Sequence, residues 1–129
     1  MDEKKLIEMA MDVKKNSYSP YSKFSVGAAL LTDSGKVYTG VNIENVSFGA
    51  TNCAERTAIF KAVSEEGELK IKAIAVCGDS DNIIFPCGVC RQVILEFGDK
   101  STKIICGNKK GDFKVFTLDE LLPYAFTEF

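Results

Sequence analysis

The alternation of hydrophobic and polar positions along this chain predicts four helices and five strands. An apolar stripe at helical spacing, formed by Leu6, Ala10 and Val13, favours an amphipathic helix from about Asp2 to Lys15. Runs of apolar and β-branched residues between polar or glycine-containing segments favour strands. The expected strands are Phe24–Leu31, Val37–Ile43, Ile71–Cys77, Lys103–Cys106 and Phe113–Thr117, and the further helices are Cys53–Glu65, Cys87–Phe97 and Leu118–Leu122.

The order of these elements predicts an α/β fold. The turn sequence Asp33–Lys36 joins the first two strands in an expected hairpin, and helices then alternate with later strands. This order is typical of a mixed five-stranded sheet with helices on its faces, in three α/β/α layers. The helices expected to begin at Cys53 and Cys87 both follow breaks in the sheet, which is where α/β proteins tend to place ligands.

Length and charge narrow the class of protein. The 129 residues fit one domain, residues 1–129, with enough chain to bury a core. The net charge is −2 and the 16 basic residues are dispersed, which argues against nucleic-acid binding. The charged N-terminus, Met1–Lys5, and the lack of a long apolar run predict a cytoplasmic protein without a secretory signal or a membrane span.

The five cysteines, in a chain without histidine, carry the candidate chemistry. Cys53, Cys87 and Cys90 can supply three thiolates to a zinc ion, which leaves the fourth position open for water, as in catalytic zinc sites. Cys87 and Cys90 lie three residues apart, so a helix beginning there places both thiols on one face. Glu55 follows Cys53 closely and can accept the proton that such a water loses. An odd number of cysteines also argues against a disulfide framework.

Other interpretations of the cysteines stay open at this stage. A fourth ligand from Cys77 or Cys106 would close a structural zinc site and remove the catalytic role. Both residues lie in apolar runs, where free cysteine is usually a small buried hydrophobic residue. A Cys-x-x-Cys pair alone is also compatible with redox chemistry, but the Cys-x-Glu element has no place in it.

Four ordered segments resemble those of the small bacterial and animal cytidine deaminases. They are Tyr21–Ala29 (YSKFSVGAA), Asn42–Asn45 (NIEN), Asn52–Ala58 (NCAERTA) and Pro86–Val93 (PCGVCRQV). The resemblance runs from about Leu6 to Phe126. It implies a cytidine deaminase-like fold, one zinc per chain, and a homotetramer that hydrolyses cytidine and deoxycytidine to uridine and deoxyuridine with release of ammonia.

The same resemblance implies roles for the residues around the metal. Glu55 takes a proton from water and delivers it to ring nitrogen N3, and it then helps to protonate the departing amine. The Cys53 carbonyl and the Ala54 amide contact the pyrimidine. Arg56 donates hydrogen bonds to the thiolates of Cys53 and Cys87, which withdraws negative charge from three thiolates on one dication.

On the sugar side, the resemblance assigns Asn42 and Glu44 to the 3'-hydroxyl and Phe24 to packing against the nucleoside. Phe126 is expected to stack near the base in an adjacent subunit. Phe48 stands where related sequences often carry tyrosine, at a position that reaches a neighbouring site. Shared sites of this kind require an oligomer.

The identity of the substrate has an alternative. A zinc deaminase of another cytosine nucleoside or nucleotide would keep the metal motifs and differ on the sugar side. The Glu44 carboxylate, in a chain without a basic cluster or a glycine-rich phosphate loop, favours a free nucleoside over a nucleotide, because like charges repel in a partly dry pocket.

Overall fold

The computed structural model describes all residues from Met1 to Phe129. In chain order the elements are α1 (Glu3–Val13), β1 (Val26–Thr32), β2 (Val37–Val41), α2 (Ala54–Glu66), β3 (Ile71–Gly78), α3 (Gly88–Phe97), β4 (Lys103–Gly107), β5 (Phe113–Thr117) and α4 (Leu118–Leu121). Short 3-10 turns occur at Lys14–Asn16 and Phe48–Ala50. None of the helices has the length and apolar character required to span a bilayer.

The five strands form one mixed sheet in the order β2-β1-β3-β4-β5. Only β3 and β4 are parallel, with Ile74 opposite Ile104, and the other neighbours are antiparallel. The crossover between the parallel pair carries α3. The predicted mixed five-stranded sheet is therefore confirmed, and α3 begins at the edge where β3 ends.

Alternate residues of the central strands supply two hydrophobic clusters on opposite faces of the sheet. On one face α1 packs through Leu6, Ile7 and Ala10. On the other face α2 and α3 pack through Ile59, Ala62 and Ile94. The sheet thus lies between two helical layers. Helix α1 covers one face, and α2 and α3 cover the other.

The first two strands are shorter than the sequence predicted. The strand expected from Phe24 begins at Val26, and the strand expected to reach Ile43 ends at Val41. Lys23, with φ 60°, adopts the left-handed region and breaks extended backbone just before Phe24. The two errors fall on neighbouring segments, one before β1 and one after β2, which the Asn42 side chain joins by hydrogen bonds.

Helix α2 approaches β2 closely at Gly40. A β-carbon at this position would lie 2.4 Å from the Ala58 amide nitrogen and 2.5 Å from the Ala54 carbonyl oxygen. These are backbone atoms of α2, so they cannot move aside without displacing the helix. Glycine at position 40 therefore sets the distance between the sheet and the helix that begins after Cys53.

We predict that Gly40→Ala destabilises the protein by about 1 to 3 kcal/mol or more, because the added methyl group overpacks the contact between β2 and α2. The free energy of urea unfolding, measured at equal protein concentration, checks this. Gly49→Ala is the matched control, since a β-carbon at Gly49 meets no atom within 4 Å. Equal stability of the two variants would contradict the close approach.

Candidate metal centre

Three cysteine thiols converge at the beginnings of α2 and α3. Cys53 is the N-cap residue of α2, Cys87 is the N-cap residue of α3, and Cys90 lies in the first turn of α3. Their sulfur atoms all lie within 4.8 Å of one another. The Sγ atoms of Cys53 and Cys87, which belong to different helices, are 3.9 Å apart.

The local structure leaves these thiols free to bind a metal. Neither Cys53 nor Cys87 uses its side chain to cap the helix that it precedes. Both helices direct their N-termini toward the cluster, and the positive end of a helix dipole favours thiolate over thiol. The cysteine thiols therefore lie where the helix N-termini stabilise the negative charge of the thiolate form.

The cluster fits a zinc ion. A zinc–sulfur bond of about 2.3 Å in tetrahedral geometry separates sulfur ligands by about 3.8 Å. The distance of 3.9 Å between Cys53 and Cys87 matches that separation. Thiolates are also the soft ligands that zinc accepts. Cys77 and Cys106 stay out of the cluster, because they pack in the hydrophobic clusters on opposite faces of the sheet.

Glu55 is a buried carboxyl group next to the thiols. It is the second residue of α2 and is only 4 % exposed. Burial is the main cause that raises its pKa to about 7, and the charge of Cys53 adds to the effect. The side chain can therefore hold or release a proton at the mouth of the helix.

Arg56 contacts the cluster from the same turn of α2. Its Nη2 atom donates a hydrogen bond of 3.2 Å to the Cys53 sulfur. Hydrogen bonds from Cys90 and from Arg56 lower the pKa of Cys53 to about 5. The expected bond from Arg56 to Cys87 is not among the hydrogen bonds of the structure. The buried Nε atom of Arg56 has no partner.

Asn42 joins the segment before β1 to the end of β2. Its side-chain oxygen accepts hydrogen bonds from the Val26 amide and the Ser17 hydroxyl. Its side-chain nitrogen donates a hydrogen bond of 2.8 Å to the Phe24 carbonyl. The sequence predicted Asn42 near the end of the strand Val37–Ile43 but did not indicate Ser17 as its partner. The structure therefore shows Asn42 holding the loop that carries Phe24.

Glu44 holds the same loop from its other end. One carboxylate oxygen accepts hydrogen bonds of 3.0 Å from the amides of Tyr21 and Ser22, and the other accepts from the Ser22 hydroxyl. The bond from the Ser22 hydroxyl is the largest cause that lowers the pKa of Glu44. The Phe24 amide in turn donates to the Ser22 oxygen. Ser22 thus links Glu44 to Phe24, and sequence reasoning had missed it.

The Phe24 ring is half-buried against the end of β3. A β-carbon at Gly78 would lie 2.8 Å from two carbons of the ring, so only glycine leaves room for this position. Gly78 is the last residue of the strand that leads toward α3. This contact brings Phe24, Asn42 and Glu44 into one group on the cluster's edge of the sheet.

The first turn of α2 contains a further polar contact that the sequence did not reveal. The Cys53 carbonyl accepts hydrogen bonds from both the amide and the hydroxyl of Thr57, at 3.0 and 3.1 Å. The side chain of Asn52 donates to the same hydroxyl. Ala54 is fully buried behind this turn. The backbone at the helix mouth is therefore fixed by two polar side chains as well as by the helix itself.

Two predicted site residues have largely exposed aromatic rings. Phe48, in a 3-10 turn, is 85 % exposed, and Phe126 is 58 % exposed. The Phe126 ring contacts Phe129 at a centroid distance of 5.3 Å. Its carbonyl accepts a hydrogen bond from Gln92 of α3. Neither aromatic ring is engaged by the metal-binding residues.

The fold and the three-thiolate cluster define a zinc-binding deaminase domain. The family model described as the cytidine and deoxycytidylate deaminase zinc-binding region matches residues 1–107. The chain belongs to this cytidine and deoxycytidylate deaminase family. All three cysteines of the cluster and Glu55 fall within the matched residues.

Similar proteins cover nearly the whole chain. The chain is 52% identical over 127 residues to a cytidine deaminase of Halalkalibacterium halodurans, covering 98% of this chain and 96% of that protein. A cytidine deaminase of Sporosarcina psychrophila is 50% identical over 99% of this chain and 93% of that protein. The crystal structure of cytidine deaminase from Burkholderia pseudomallei superposes with a TM-score of 0.90 at 46% identity, covering 98% of this chain and all of that one.

We predict that the purified chain binds about one zinc ion through three sulfur atoms and one lighter atom. Elemental analysis gives the stoichiometry, and zinc K-edge X-ray absorption gives the number of sulfur neighbours. Replacing any one of Cys53, Cys87 or Cys90 by alanine should abolish tight binding, whereas Cys77→Ala should retain it. Four sulfur neighbours in the absorption spectrum would instead indicate a closed structural site.

Proposed function

We propose that this chain hydrolyses cytidine to uridine and ammonia, and that deoxycytidine is a second substrate. The observation that carries the proposal is a buried carboxyl group, Glu55, next to three thiols whose spacing fits one zinc ion. A structural zinc site has no use for such a group. A hydrolytic site needs it, because a proton must move from water to the leaving amine.

The residues of the cluster divide the chemistry between them. Cys53, Cys87 and Cys90 would hold the zinc, which when bound supplies Lewis acidity and lowers the pKa of a water molecule toward neutrality. Glu55 would carry one proton of that water to ring nitrogen N3 and then the second proton to the amino group, which leaves as ammonia. Arg56 offsets the excess negative charge of the thiolates through its bond to Cys53.

The backbone at the beginning of α2 would read the base. The Ala54 amide is one of the free N–H groups of the first helical turn, and it can donate to the pyrimidine. Thr57 and Asn52 fix the Cys53 carbonyl next to it. The Cys53 carbonyl already accepts two hydrogen bonds from Thr57, so the Ala54 amide is the group that a base without a suitable acceptor would leave unpaired, which is the usual source of strong discrimination.

The sugar side has one free donor and one free acceptor. Asn42 uses both acceptor sites of its oxygen and one of its two N–H donors within the chain, which leaves one N–H. Glu44 receives two bonds on one oxygen and one bond on the other, which leaves an acceptor site on the second. A hydroxyl group both donates and accepts, so it complements this pair. The 3'-hydroxyl occurs in ribose and deoxyribose alike, which supports both nucleosides as substrates.

The same carboxylate argues against a nucleotide substrate. Hydrogen bonds to Ser22 lower the pKa of Glu44, so its carboxylate carries a negative charge at neutral pH. A phosphate group brought close to it would be repelled. We therefore favour the free nucleosides over deoxycytidylate.

We further propose that residues 1–129 form one deaminase domain that assembles into a homotetramer in the cytoplasm. One continuous five-stranded sheet supports the single domain. The exposed rings of Phe48 and Phe126 support assembly, since large exposed aromatic side chains mark interaction surfaces. Three thiols that must stay reduced to bind zinc suit a reducing compartment.

We predict ammonia release from cytidine and deoxycytidine, and none above background from cytosine or deoxycytidylate. Glu55→Gln should retain its zinc and lower turnover roughly 10² to 10⁴-fold, because the proton carrier is lost. A coupled ammonia assay measures turnover, and elemental analysis measures zinc.

Glu65→Gln is the control for this substitution, since Glu65 is an exposed residue of the same helix. It should leave turnover unchanged. Near-full turnover in Glu55→Gln would show that the proposed proton carrier is wrong, and efficient use of deoxycytidylate would refute the role given to Glu44.

We predict that the active species has a mass of about 56 kDa, four copies of the 14.1 kDa chain. Light scattering at the assay concentration checks this. Phe126→Ala should raise the KM for cytidine if the ring serves a neighbouring site. An active monomer would contradict the sharing of sites between subunits.

A further inference from the structure

Arg91, a residue of α3, binds two backbone carbonyl groups, one just before α3 and one in α4. Its Nε atom donates a hydrogen bond of 2.7 Å to the carbonyl of Pro86, and its Nη1 atom donates one of 2.7 Å to the carbonyl of Leu121. The backbone amide of Arg91 donates a further hydrogen bond, of 2.9 Å, to the carbonyl of Cys87. Pro86 is buried, so its carbonyl depends on a protein donor.

The two bridged carbonyls belong to segments with different roles. Pro86 immediately precedes Cys87, the exposed thiol of the cluster. Leu121 ends α4, which is held at its other end by a reciprocal capping box between Thr117 and Glu120. The guanidinium group therefore connects the loop that presents one metal ligand to the C-terminal helix.

The use of arginine at this position is itself informative. The chain has 16 basic residues, and only Arg56 and Arg91 are arginines; the others are lysines. Both arginines lie near the beginnings of the two helices that carry the thiols. A guanidinium group has donors in a rigid fork that can bind two acceptors at once, which a lysine ammonium cannot reproduce in the same geometry.

We propose that Arg91 is a positioning residue of the metal centre, which fixes the Pro86–Cys87 loop by tying it to α4. Arg91 makes no hydrogen bond to the thiols, in contrast to Arg56. Its effect is exerted on the backbone that sets where the Cys87 sulfur lies. This inference rests on the proposed function insofar as the cluster must bind zinc.

The test compares zinc release from Arg91→Lys and Arg91→Gln with release from the unmodified chain. A chromogenic chelator, 4-(2-pyridylazo)resorcinol, follows release from the folded protein. Both variants should release zinc about 10- to 100-fold faster, if the typical loss of metal affinity on removing an outer partner of a ligand is expressed in the release rate. In the Co²⁺-substituted protein, the visible d–d bands should shift in both variants, which reports ligand geometry independently of activity.

The lysine variant separates positioning from charge. It keeps the positive charge but loses the bridge, so slow release from Arg91→Lys together with fast release from Arg91→Gln would overturn the proposal. Gln92→Ala is the matched control, because Gln92 contacts the Phe126 carbonyl and not Pro86. Its zinc release and Co²⁺ spectrum should match those of the unmodified chain.

A second route applies if the Arg91 variants do not fold. Glu120→Ala removes the capping box of α4 at an exposed position, which loosens the anchor on the far side of the bridge. It should release zinc faster than the unmodified chain, and an unchanged rate would contradict the coupling. An unmodified chain that holds no zinc would overturn the proposed function and this inference together. Zinc that is held with equal release rates in all variants would overturn this inference alone.

Discussion

The convergence of three thiols within 4.8 Å is the constraint on which the rest of this structure depends. Three thiolates carry more negative charge than one zinc ion can neutralise, so their surroundings have to favour the ionised form. Two helix N-termini and the Arg56 guanidinium do so. Placing both helix beginnings at one edge of the sheet requires α2 to lie close to β2, which Gly40 allows. Sheet packing and metal chemistry are therefore linked through one glycine contact.

The substrate side is organised by hydrogen bonds rather than by secondary structure. Between Ser17 and Val26 the chain has no regular element except a bridge at Tyr18, and Lys23 adopts a left-handed conformation. Asn42 and Glu44 hold this loop and position Phe24 against Gly78. Their remaining hydrogen-bonding capacity matches one hydroxyl group. The groups proposed to bind the sugar thus also hold the loop that carries Phe24, so recognition and loop order depend on the same side chains.

Periodicity predicted the element order and the mixed sheet because apolar spacing reflects burial. The thiol cluster could be predicted because three cysteines, with Glu55 close to Cys53, form a pattern that is typical of catalytic zinc sites and of few other sites. The strand ends near Phe24 and Ile43 were wrong because long-range side-chain bonds override local preference there. Ser22 and Arg91 lie within two of the segments that carry the resemblance, but the sequence assigned neither of them a role. Glu44, which binds Ser22, and Leu121, which binds Arg91, lie 22 and 30 residues away along the chain, so only the folded structure reveals these two contacts.

Folding of the metal-free chain has to bring unfavourable groups together. Glu55 is buried, and its raised pKa reports that burial disfavours its charged form. Hydrogen bonding to Cys53, together with burial, raises the pKa of Cys90 as well. A divalent cation at the cluster would attract the thiolates and the carboxylate alike, so part of its binding free energy offsets this cost and stabilises the fold. The burial that disfavours charge on Glu55 is also what keeps this proton carrier beside the thiols that would hold the metal.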